Sequence, residues 1–134
     1  MFSDSGAVSV SDERLKTFSS IEEAEKAAAI EIKSTIRKFK FNKDIERKGI
    51  DGARWHFGIG AQSVGEIMRS HGLNPDSYGF WCYDEWGAKP AVYRTDTDED
   101  GNETKVLIEH AIEAGNQYGI RYDELVMFIL SAMN

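Results

Sequence analysis

Apolar positions recur along the chain in distinct rhythms, and each rhythm predicts an element. Ile21, Ala24, Ala28, Ile32, Ile36 and Phe39 follow one another at three- and four-residue steps, the period of one helix face, while Glu22, Glu25, Lys26, Lys33 and Arg37 fall mostly elsewhere. Ser20 and Glu23 fit a capping box, so the spacing predicts a long helix from Ser20 to about Phe39 whose apolar face packs on the rest of the domain. After the turn signals Lys48-Gly49 and Asp51-Gly52, Trp55, Phe57 and Ile59 alternate with Arg54, His56 and Gly58, the period of a half-buried strand. Gly60 ends that strand. Ala61 to His71 predicts a short helix with Val64, Ile67 and Met68 inward, stopped by Gly72 and by Asn74-Pro75, where proline lacks an N–H to continue the ladder.

Phe80 to Trp86, Ala91 to Thr95 and Lys105 to His110 read as strands, with the acidic stretch Asp96 to Asn102 as a connection and Asp100-Gly101 as its tight turn. The last segment opens with Tyr118-Gly119-Ile120-Arg121-Tyr122, takes Asp123 as N-cap and runs through Leu125, Val126, Met127, Phe128, Ile129, Leu130, Ala132 and Met133. A helix apolar nearly all round is buried on several sides, and at a chain end the simplest cover is a copy of itself. Residues 1–11 are small and polar, with only Ala7, Val8 and Val10 offering a strand-like run, and read as the stub of an upstream region. The chain contains no internal repeat and no low-complexity linker.

At 134 residues and 41% hydrophobic, with seven Phe, five Tyr and three Trp, the chain suits one packed domain. A formal charge of -7 opposes bulk attraction to nucleic acid or an anionic membrane, so neither is expected as a partner. Arg37, Lys38, Lys40, Lys43, Arg47 and Lys48 outnumber Asp44 and Glu46 locally, and a solvated helix end and turn accounts for them. Cys82 is the single cysteine, so no intrachain disulfide forms; within Phe80-Trp81-Cys82-Tyr83 it reads as core. The N-terminus lacks a basic region and an apolar run of the kind a secretion signal needs, and no stretch reaches the roughly 18 apolar residues of a membrane span. The expectation is a domain formed in a reducing cytoplasm.

Most candidate chemistry fails on spacing. Asp96, Asp98, Asp100 and Gly101 open like a calcium loop, but Glu103 stands where a hydrophobic residue is required and Leu107 where a bidentate glutamate is, which leaves a solvated hairpin turn. Gly58 and Gly60 lack the third glycine of a dinucleotide loop. His56, His71 and His110 are too dispersed for metal-ligand spacing, so neither metal nor cofactor is expected. Ser11-Asp12-Glu13-Arg14-Leu15-Lys16 remains. A serine hydroxyl becomes a nucleophile when a base takes its proton, and a desolvated lysine can be that base. Positions five apart share a face on neither a helix nor a strand, so a turn must join the two groups, and the spacing alone leaves a structural or accidental pairing open.

Ser-Asp-x-Arg-Leu-Lys resembles the cleavage motif of the endosialidase-type intramolecular chaperone domains found at the C-termini of phage tail fibres and tail spikes. Two further segments agree in order: Phe57-Gly58-Ile59-Gly60-Ala61-Gln62-Ser63-Val64 resembles the family's Gly-x-x-Ala-Gln-x-Val strand-to-helix signature, and Gly119-Ile120-Arg121-Tyr122-Asp123-Glu124-Leu125 its tyrosine-led entry to the last helix. The resemblance implies a homotrimeric α+β domain over residues 12–134 with small antiparallel strands. In such a domain three upstream chains are held in register while their β-structure forms, and the chaperone then cuts itself off. It implies a cut between Ser11 and Asp12, with Ser11 as nucleophile, Lys16 as base, and His56 and Gln62 as candidate neighbours of the site. Ser3-Asp4 has Val8 in the lysine's place and should not be cut. The expected setting is the host cytoplasm during phage assembly, with the domain absent from the mature virion once cleaved. Two alternatives stay open: a non-cleaving trimerisation module of the same fold, and a receptor-binding tip using exposed Trp81, Tyr83 and Trp86.

Overall fold

The computed structural model describes Val8 and residues 10–134; the Ser3-Asp4 pair, Ala7 and Ser9 lie outside the described residues. The first helix, α1, spans Glu23–Lys33 rather than Ser20 to Phe39. Its capping contact is moved two residues along, with Glu22 N–H donating to Glu25 Oε1 at 2.8 Å, and carboxylates here also suit the positive end of the helix dipole. At the other end Ser34 and Thr35 turn their hydroxyls back onto the carbonyls of Glu31 and Ile32, offering the backbone an alternative to another helical turn. Arg37–Phe39 then forms β1, paired antiparallel with β2 (His56–Gly58) in the register Arg37↔Gly58 and Phe39↔His56. Ile36 and Phe39 therefore leave the helix face: Ile36 is exposed, and the Phe39 ring stacks on His56 with centroids 5.6 Å apart. The basic stretch becomes β1 followed by α2 (Asn42–Lys48), so only Arg47 and Lys48, in the last turn of α2, stand at a helix end, while Lys38 and Lys40 both sit over the Trp55 ring.

The β2 alternation predicts a strand correctly but reverses its faces. Phe57 is 76% exposed and Gly58 is buried, because this two-stranded sheet has Tyr122 and Phe39 pressed on its Gly58 side. Helix α3 (Ala61–Ser70) follows as expected, burying Ala61, Val64, Gly65, Ile67 and Met68, and Gly72 leaves it at φ +75°, a conformation glycine adopts without a Cβ penalty. Pro75 opens the 3-10 turn Pro75–Ser77.

The remaining strands are nested. β3 (Trp81–Trp86) pairs antiparallel with β6 (Gly115–Ile120), and between them in sequence lies the hairpin of β4 (Val92–Thr97) and β5 (Glu103–Glu109). A Lys89–Ile112 bridge links the two pairs. Asp98 shapes the hairpin turn by accepting from the N–H groups of Asp100 and Asn102, and Gly101 takes φ +83°. Residues 118–120, which lie ahead of the expected N-cap Asp123, belong to β6. Helix α4 covers Tyr122–Ser131 with Arg121, not Asp123, as its N-cap.

One core joins α1, α3, the start of β3 and α4, and the β4–β5 hairpin lies outside it. Ala28 and Ile32 from α1 meet Val64, Ile67 and Met68 from α3, Phe80 and Trp81 at the start of β3, and Leu125 from α4. Trp81 Nε1 donates to the Ala61 carbonyl at 2.9 Å, and the ring lies so close to Gly65 that a Cβ there would stand 3.1 Å from Nε1. Tyr78 Oη donates to Glu25 at 2.7 Å, and burial together with that carboxylate pushes its pKa up to about 12. Cys82 is half-buried rather than core, since it sits on the other face of β3 from Trp81. The architecture is α+β with three two-stranded antiparallel sheets among the described residues. Because Ile32 is fully buried at the meeting of α1 and α3, Ile32→Ala should cost about 2–5 kcal/mol, seen as a lower thermal midpoint with far-UV circular dichroism unchanged well below that midpoint.

Candidate functional site

Asp12 is the N-cap of the 3-10 turn Glu13–Leu15, in which Leu15 N–H donates to the Asp12 carbonyl and Lys16 N–H to the Glu13 carbonyl. The turn reverses the chain, so two positions that share a face in neither a helix nor a strand come together: Lys16 Nζ lies 2.9 Å from Ser11 Oγ. The Asp12 carboxylate holds the turn. It accepts from Arg14 N–H at 3.0 Å and from the Arg14 guanidinium through Nε at 3.0 Å and Nη2 at 2.6 Å. The side-chain bond to Arg14, then its backbone N–H, keep the Asp12 carboxyl below its ordinary value, and Asp12 in return raises that of Arg14. A lowered carboxyl is ionised to more acidic pH, so the fork persists at neutral pH and opens only as pH falls through that lowered value.

Ser11 and Lys16 are both exposed in the single chain, and of the six residues only Asp12 is half-buried. A lysine in water acts as a hydrogen-bond donor. Acting as a base requires that something cover it, because desolvation favours the neutral amine.

His56 and Gln62 stand elsewhere. His56 is flanked by the rings of Phe39 and Phe41 and lines a groove of about 760 Å³ with Arg37, Phe57 and Tyr122. Gln62, in the first turn of α3, lines a second groove with Asn116, Gln117 and Tyr118. The grooves share Ile59, Gly60 and Tyr122, so the structure brings His56 and Gln62 to adjoining surfaces, while among the described residues no hydrogen bond joins either to Ser11 or Lys16. Tyr122 is the residue that composition and periodicity pass over. Its hydroxyl accepts from Ile59 N–H at 3.2 Å, tying α4 to the β2–α3 junction, and only the tyrosine-led motif pointed to it. Of the three aromatics of the receptor-tip reading, Trp81 is buried in the core and Tyr83 and Trp86 are partly exposed.

The profile of the family described as chaperone of endosialidase matches residues 11–73, beginning at Ser11 itself. Among solved structures, one described as a novel intramolecular chaperon superposes with a TM-score of 0.71 at 34% identity, over 92% of this chain and 94% of that one. The chain belongs to the chaperone-of-endosialidase family. It is also similar to the carboxy-terminal domain of the bacteriophage T5 L-shaped tail fibre with its intramolecular chaperone domain, with a TM-score of 0.73 and 32% identity over 98% of this chain and 30% of that one. Relatives by sequence are the tail spike protein of Escherichia virus K5, 41% identical over 71% of this chain, and the probable tail spike protein of Klebsiella phage 0507-KN2-1, 34% identical over 98%. The chain spans only 13% and 11% of the length of these two relatives. No helix among the described residues is long and apolar enough to cross a membrane.

Proposed function

We propose that residues 12–134 form an intramolecular chaperone that trimerises, promotes folding of an upstream phage tail fibre or tail spike, and frees itself in the host cytoplasm by cutting between Ser11 and Asp12. The single observation that carries the cut is the 2.9 Å approach of Lys16 Nζ to Ser11 Oγ inside the motif where the family match begins. Trimerisation is supported by an outward stripe on α4 and just past its end, formed by Val126, Met127, Leu130 and Met133, all exposed in the single chain and opposite the inward Leu125, Phe128 and Ile129. Three associated chaperones raise the effective concentration of three upstream chains, whose non-local β-pairing is intrinsically slow.

A serine that attacked its own carbonyl would close a strained four-membered ring. In the proposed reaction the Ser11 hydroxyl of one protomer therefore attacks the Ser11 carbonyl carbon of a neighbour. Lys16 beside the attacking Oγ takes its proton; the C–N bond to Asp12 breaks, and the departing Asp12 amine takes the proton that Lys16 holds. Water then hydrolyses the ester between the protomers, leaving a Ser11 carboxylate and regenerating the hydroxyl. The neighbour that receives the attack also supplies the cover that the exposed Lys16 lacks.

Mixed trimers test this. Ser11→Ala chains, tagged to differ in mass, should stay uncut alone and be cut before Asp12 when co-assembled with wild type. Ser11→Ala chains that remain whole beside cutting wild-type chains would rule out attack between protomers. The exposure of Lys16 favours one other reading, a trimerisation module of the same fold that does not cut, and a wild-type trimer whose intact mass retains residues 1–11 would establish it.

A further inference from the structure

The pairing of Ser11 with Lys16 depends on a turn of three residues, and that turn is held from outside its own backbone. Its two backbone bonds, Leu15 to Asp12 and Lys16 to Glu13, are those of an isolated 3-10 turn, which is too short to be stable in water by itself. Three donors of Arg14 converge on the carboxylate of Asp12: the backbone N–H, Nε and Nη2. A guanidinium lying flat across a carboxylate fixes direction as well as distance, which a single point charge does not. Among the described residues the Arg14 side chain bonds only to Asp12, and it is 87% exposed, so it contributes nothing to the core of the domain.

We propose that Arg14 is a positioning residue for self-cleavage: its fork on Asp12 locks the turn that delivers Lys16 to Ser11, and at the same time fixes the residue that follows the bond to be cut. The inference rests on the self-cleavage reading above. Asp12 serves twice, as the cap that starts the turn and as the new N-terminus once the bond breaks. Arg14 acts only through Asp12 and reaches neither Ser11 nor Lys16, which makes it the cleaner position to change.

The test follows the first-order loss of fragment 1–11 from the 134-residue chain by intact mass, in wild type, Arg14→Ala and Arg14→Lys, with trimer content measured alongside. Misplacement of reacting groups by about 1 Å costs on the order of 100-fold, so Arg14→Ala should cleave about 10- to 100-fold more slowly. Arg14→Lys, which keeps the charge and loses the fork, should fall between Arg14→Ala and wild type. Millimolar ethylguanidinium should restore part of the Arg14→Ala rate. A wild-type rate in Arg14→Ala, or a slow rate that ethylguanidinium leaves unchanged, would each overturn the proposal. If Arg14→Ala fails to trimerise, Arg14→Lys carries the same comparison. Wild type that never cleaves sinks the self-cleavage reading itself, whereas wild type that cleaves beside an equally fast Arg14→Ala sinks this inference alone.

Discussion

Ser11→Ala should abolish release of residues 1–11, with a fall in cleavage rate of at least about 10³-fold, while the trimer forms as in wild type. Ser11 is exposed and its hydroxyl has Lys16 as its partner, so removing the oxygen leaves no unpaired group in the core and no reason for the fold to change. Lys16→Ala should cost about 10²- to 10⁴-fold, the range expected when a positioned general base is lost. The double variant should be no slower than Ser11→Ala, because a nucleophile and its base act as a unit and their losses do not add. Lys16→Arg separates two roles for the lysine. A guanidinium can still donate to Ser11 Oγ at neutral pH but does not give up its proton, so it can hold the serine and cannot activate it. Lys16→Arg should therefore be as inactive as Lys16→Ala. Cleavage by Lys16→Arg at a rate near wild type, read by intact mass over time, would show that the lysine only positions the serine.

The second large effect concerns assembly. Met127 is 68% exposed and Leu130 56% exposed on the outer side of α4, opposite the residues that pack on Phe80 and α1. Fully burying a side chain of this size is worth about 1.5–3 kcal/mol, and more than half of that is unused in the single chain. Met127→Glu with Leu130→Glu replaces this with carboxylates that a trimer would bring together and strip of water, a cost of several kcal/mol per unpaired charge. Size-exclusion chromatography with light scattering at micromolar concentration should then read one chain mass where wild type reads three. Far-UV circular dichroism should be unchanged, because both positions face outward and glutamate is a good helix former. The variant should also stop cutting if the attack runs between protomers. A double variant that remains trimeric would place the interface elsewhere than on α4.

Where local signals agreed with tertiary contacts, the sequence was legible. Helix α3 has an apolar face, a glycine at its end and a proline beyond, and its bounds fell within a residue of expectation. The hairpin at Asp100-Gly101 was equally readable, because a turn that needs a positive φ announces itself with glycine. The start and end of α1 were not. The helical period continues to Phe39, and nothing local says that Arg37–Phe39 will find a partner strand in His56–Gly58, beyond the whole of α2. β6 was hidden for the same reason: Gly115–Ile120 has little β-branched character, and it is a strand because β3 pairs with it.

The site divides along the same line. Which residues to suspect came from the sequence: Ser11, Lys16, the landmarks from Gly58 to Val64 and from Gly119 to Leu125, and the family to which the chain belongs. How Ser11 and Lys16 meet came only from the three-dimensional arrangement, because a five-residue spacing is neutral between contact and separation until Asp12 and Arg14 close a turn. The apolar surplus on α4 was likewise visible in the sequence. Which half of it turns inward was decided by packing, since a helix apolar nearly all round carries no record of the face its neighbours will cover, and here Phe80 and α1 took Leu125, Phe128 and Ile129 and left Val126, Met127 and Leu130 outside.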